Sequence, residues 1–110
     1  MSKTALISIL LAITLAGCYS KTTVLRREAI SEYQIGHNAR AMELFQQVIV
    51  DEPADSESLY YLGRIMHAEG YDERAIYYFQ AALDADSDNA EAAEWLDKLS
   101  AGRPATQPAG

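Results

Sequence analysis

An internal repeat of 34 residues constrains this chain more than any other feature. Shifted by that amount, the sequence lays Leu25 on Leu59, Ala29 on Gly63, Gly36 on Gly70, Ala41 on Ala75 and Phe45 on Phe79. Leu44 meets Tyr78, and Val48 meets Ala82. A period of this length marks a unit that cannot bury its apolar face alone and must stack on a neighbour. Leu59, Leu62, Gly63 and Met66 fall at i, i+3, i+4 and i+7, which predicts a helix with one apolar face. After a break at Gly70, Ala75, Tyr78, Phe79 and Ala82 repeat the pattern, with Leu83 beside them. Gly36 and Gly70 are predicted to end the first helix of each pair, because a positive φ is inexpensive for glycine. Pro53 closes the first unit, and Asp86-Ser87-Asp88-Asn89 closes the second. Small residues at Gly63, Ala75 and Ala82 let paired helices approach closely, with Phe79 filling the space between them. The expectation is two helical hairpins.

A third unit begins and stops. Ala90 to Ala101 places Ala93, Leu96 and Leu99 on one side and Glu91, Glu94, Asp97 and Lys98 on another. Asn89 is the predicted N-cap, with acids in the first turn to complement the helix dipole. Such a helix covers the open end of a stack with its apolar face and meets water with the other. Trp95 is expected to pack on the second hairpin; the alternative is an exposed binding anchor. Residues 102–110 form a short polar tail, expected to be disordered.

A 34-residue period with these landmarks resembles the tetratricopeptide repeat. Segments 22–55 and 56–89 are the two repeats, and 90–101 takes the place of the terminal capping helix. The resemblance implies an all-α fold, a short right-handed α-solenoid of two helical hairpins plus a C-terminal capping helix, with the domain spanning 24–101. Two departures stand out. The usual aromatic at position 11 is replaced by Glu32 and Met66. The usual tyrosine at position 17 lies one residue early, at Tyr71, which predicts a locally altered turn.

The N-terminus is of another kind. Lys3 precedes a mostly apolar run from Ala5 to Leu15, the pattern of an export signal and too short to span a bilayer. Leu15-Ala16-Gly17-Cys18 follows and resembles the lipobox of bacterial lipoproteins. The resemblance implies a signal peptide over 1–17, cleavage before Cys18, acylation (palmitate among the chains) of that cysteine, and a linker over 18–23. Two or three acyl chains anchor stably, at about 0.8 kcal/mol per buried CH₂. Tyr19 occupies the place where an Asp usually retains such proteins in the inner membrane of Gram-negative envelopes, so it points to the outer membrane. An ordinary signal peptide with a chance cysteine is the competing reading. Lys21, Arg26 and Arg27 cluster near the anchor and can meet anionic headgroups at about 1 kcal/mol each.

Composition narrows the function further. The 110 residues hold 9 Lys plus Arg against 16 Asp plus Glu, a net charge of −7 that argues against a nucleic-acid partner. The single cysteine excludes an internal disulfide. Asp84, Asp86 and Asp88 imitate the start of a calcium loop. Asn89 and Trp95 then stand where that loop requires Gly and a bidentate Glu. His37 and His67 lack a second ligand at helical spacing, so no metal or other cofactor is expected. No nucleophile elbow, phosphate-cradling loop or paired catalytic acid is present, which argues against an enzyme.

The first helices of such a solenoid line its concave face, and the family presents groove side chains at positions 2, 5, 9 and 12. By register these are Thr23, Arg26, Ile30 and Tyr33, then Glu57, Tyr60, Arg64 and His67, extended by Glu91, Glu94 and Lys98. The Lys-Asn pattern by which some members clamp a peptide carboxylate is missing, since position 9 holds Ile30 and Arg64. Tyr78 belongs to the packed face, whereas Tyr77 is expected on the convex side. The resemblance thus implies a membrane-anchored lipoprotein whose groove or convex face captures a protein partner in the cell envelope. Two further readings remain: self-assembly of the short solenoid through its ends, and a pilot-type assembly factor that ferries an outer-membrane protein.

Overall fold

The computed structural model describes residues 20–102. The expected signal peptide, Cys18, Tyr19 and the tail beyond Gly102 lie outside the described residues. Five helices run in order: α1 (Lys21–Gln34), α2 (Asn38–Asp51), α3 (Ser56–Ala68), α4 (Asp72–Ala85) and α5 (Ala90–Ala101). Helices α1 and α2 form one antiparallel hairpin, α3 and α4 a second, and α5 packs against α4. The expected all-α solenoid of two hairpins and a terminal helix is what the described residues form.

Each hairpin buries a large ring among small residues. Ala29, Ala41, Phe45 and Val48 are fully buried in the first, and Ala75, Phe79 and Ala82 in the second. Gly63 sits directly under Phe79: a Cβ there would lie 2.7 to 2.9 Å from three of its ring carbons. Leu62, Ile65 and Ala92 complete a core that runs continuously from one hairpin to the next.

The turns are built alike. Gly36 and Gly70 both adopt φ 86°. His37 N–H donates to Glu32 C=O at 2.9 Å and Gly36 N–H to Tyr33 C=O at 3.0 Å; Tyr71 to Met66 and Gly70 to His67 repeat the pair at 2.9 and 3.0 Å. This bonding satisfies carbonyls that the ending helix leaves without partners. The altered turn expected at Tyr71 is therefore corrected: the glycine sets the same geometry in both units, and Tyr71, whose N–H closes its turn, stands 51% exposed.

The helix starts are capped by side chains. Asp55 accepts from Ser58 N–H at 3.1 Å and Asn89 from Ala92 N–H at 3.0 Å. Ser20 does the same for Thr23 N–H at 3.2 Å. That cap corrects the expected 18–23 linker and the domain start at 24, because α1 already begins at Lys21. Thr22 is buried and donates to the Glu52 carboxylate, tying the first turn of α1 to the loop between the hairpins.

Gly63→Ala should destabilise the domain despite the better helix former. Overpacking against Phe79 costs ~1–3 kcal/mol, against ~1 kcal/mol gained in propensity. Urea unfolding followed by circular dichroism measures the net loss.

Candidate protein-binding groove

Side chains of α1, α3 and α5 meet in a connected series, on the helices expected to line the groove. Tyr33 of α1 packs edge-on against Tyr61 of α3, with ring centroids 5.1 Å apart and planes at 64°. Tyr61 also packs edge-on against Tyr60 at 5.1 Å. The Arg64 guanidinium donates to the Tyr60 hydroxyl at 2.7 Å and lies 4.5 Å from the centre of the Trp95 ring. Lys98 approaches the same ring at 5.0 Å while bonding Glu94 at 2.7 Å. That ammonium holds the Glu94 carboxyl below its usual pKa, first by its hydrogen bond and then by its charge. His67 stands 5.0 Å from Trp95, and its Nδ1 is 2.8 Å from the Asp72 carboxylate.

Of the side chains singled out from the sequence, Arg64, His67 and Lys98 therefore gather around Trp95, with Tyr60 joined through Arg64 and Glu94 through Lys98. Arg26 and Ile30 do not reach this group. They line a separate cleft of about 400 Å³ with Thr23, Ser31, Gln34 and Glu57. Arg26 is also committed to the joint between the hairpins. It bonds the capping carboxylate of Asp55 and pairs with Glu57 at 3.2 Å.

Two rings central to the face were not among the predicted groove positions. Tyr61 stacks on Phe45 of the preceding hairpin, with centroids 5.1 Å apart and planes at 6°. Trp95 stacks on Phe79, at 6.1 Å and 18°. Tyr61 and Trp95 are 34 residues apart, as are Phe45 and Phe79. The sequence held this signal in the sixth position of each unit, which carries Arg27, Tyr61 and Trp95 in turn. Trp95 both packs on the second hairpin, as expected, and carries two cations on its other surroundings.

Charge is unevenly spread. Residues 20–51 carry four Lys or Arg and four Asp or Glu, whereas residues 52–102 carry three and twelve. The acids concentrate beside the tyrosines: Glu57, Asp86, Asp88 and Glu91 line a cleft of about 320 Å³ with Tyr60 and Tyr61. Met42, Met66, Tyr71, Tyr77 and Tyr78 border a larger cleft of about 490 Å³. Tyr77 points outward as expected, 70% exposed. Among the described residues, no group of three or more His, Cys, Asp or Glu side chains is arranged to hold a metal ion. No helix among them is long and apolar enough to cross a membrane.

Burial raises the Tyr61 phenol above the ordinary value of 10.0, and the Glu57 carboxylate adds to the rise. A raised folded-state pKa gives stability that is complete below the unfolded-state value and is lost as pH climbs through the folded-state value. Tyr61→Phe cannot ionise, so its melting temperature should fall less between about pH 9 and pH 11 than that of the parent. Thermal melts across that range check the difference.

A comparison with curated proteins finds no match to the chain. A family model for the tetratricopeptide repeat matches residues 26–90. That span is more than half of the chain and runs from within α1 to the first residue of α5. Families of this kind are protein-interaction modules, generally without enzymatic activity. The chain belongs to the tetratricopeptide repeat family.

Proposed function

We propose that this protein is a lipid-anchored interaction scaffold of the bacterial cell envelope, holding a partner protein in its concave groove at the membrane. The observation that carries the groove is the connected path from Tyr33 through Tyr61, Tyr60 and Arg64 to Trp95 and Lys98. Aromatic rings and arginines dominate interface energetics when they are rigidly held. Here they are held before any partner arrives, because Tyr61 and Trp95 are stacked on the core rings Phe45 and Phe79. Such preorganisation lowers the ordering cost of association. The groove recruits by non-covalent contact, and the reading places the scaffold on the outer membrane facing the periplasm.

Anchoring rests on the sequence Leu15-Ala16-Gly17-Cys18 behind its apolar run. The acyl chains supply membrane residence, and the helical domain supplies recognition. An assembly factor that delivers an outer-membrane protein is the more specific form of the same role.

Replacing Tyr60 and Arg64 together by alanine should weaken capture of an envelope partner by at least about tenfold, a loss of ~1.4 kcal/mol. Circular dichroism should stay at the parent's helicity. Partner recovery equal to the parent's in a quantitative pull-down would remove the groove from this role. Cys18→Ser should abolish incorporation of labelled palmitate and release the protein from the membrane fraction. Unchanged labelling would sink the anchor.

A further inference from the structure

Anchor and fold lie closer together than the sequence suggests. Ser20 caps α1, and the helix starts at Lys21. Three Cα steps of about 3.8 Å separate Cys18 from Lys21, roughly 11 Å at full extension. That reach is comparable to the Debye length of about 8 Å at physiological salt, so the first turn remains within the field of the surface.

The outward residues of that turn suit such a place. Thr22 is buried and turned toward Glu52, whereas Lys21 is exposed and Val24 is 54% exposed. One aliphatic side chain beside one flexible cation is the pairing that interfacial segments use, the first at the acyl boundary and the second among phosphates. Neither binds a bilayer alone. A tether of two intervening residues, Tyr19 and Ser20, makes the contact intramolecular and its effective concentration high.

Charge selects the same orientation. The hairpin that follows the anchor is balanced, with four cations and four acids, and the rest of the domain carries twelve acids against three cations. A negative surface attracts Lys21 and repels the far part of the solenoid, which tilts that part away from the headgroups.

We propose that the first turn of α1 rests directly on the lipid surface, with Lys21 among the headgroups and Val24 at the acyl boundary. The proposal depends on acylation of Cys18. It adds that the domain has no free tether, so the groove captures partners only close to the membrane.

The test uses full-length acylated protein in vesicles of phosphatidylethanolamine and phosphatidylglycerol that carry a nitroxide lipid labelled near the headgroup. An environment-sensitive dye is attached at Val24→Cys or, on the convex face, at Tyr77→Cys. Quenching at position 24 should exceed that at 77 roughly threefold, given an interfacial depth of about 5–10 Å. Inserting about ten Gly/Ser residues after Ser20 should bring the two values together, because it lowers the effective concentration of the first turn at the surface. Mass measurement of the purified protein separates the two ideas. An acylated Cys18 with equal quenching at 24 and 77 overturns the docking alone; an unmodified Cys18 overturns the anchor and the docking together.

Discussion

The stacked ring pair between successive units is the contact on which the rest of this solenoid depends. Phe45 and Phe79 each fill the inside of their own hairpin and present a face to the next unit, where Tyr61 and Trp95 lie flat on them. One side chain therefore serves two interfaces. It sets the spacing within a hairpin, and it fixes where the next concave helix must lie. Offset stacking of this kind adds about 0.5–1.5 kcal/mol beyond the area it buries. Arg27 occupies the same register position in the first unit, where no earlier phenylalanine exists to receive a ring.

The same contact links stability to the arrangement of the proposed groove. The groove rings are the outer layer of the joint between units, so their orientations are imposed by packing. Arg64 and Lys98 then gather around Trp95, and Arg64 is further fixed by the Tyr60 hydroxyl. The polar joint is comparably economical: Asp55 caps α3, receives Ser58 and pairs with Arg26, joining the two hairpins through one carboxylate.

Much of this fold was legible in the sequence because a repeat states its landmarks twice. The glycines, the alanines and the two phenylalanines all fall where periodicity placed them. Two local readings failed for physical reasons. The domain start was set too late, since the Thr22 bond to Glu52, which ties down the first turn of α1, depends on a partner 30 residues away. The turn at Tyr71 was expected to differ, yet glycine at φ 86° fixes it whatever residue follows. Tyr60, Arg64, His67 and Lys98, singled out by register, belong to the connected series that runs to Trp95. Tyr61 was not singled out and Trp95 was expected mainly to pack, because their place in the series comes from stacking across the unit boundary and not from a position on one helix.

The capping residues carry a consequence for how such a chain can change its length. Asp55 and Asn89 stand at the same point in successive units and perform the same task, each accepting the amide three residues on. The boundary after either one is thus interchangeable with the other. A duplicated segment spliced at that boundary would find a cap waiting upstream and provide one downstream. The molecule is cut, in effect, from modular stock whose ends match, so lineages carrying it can lengthen the recognition surface without redesigning any joint.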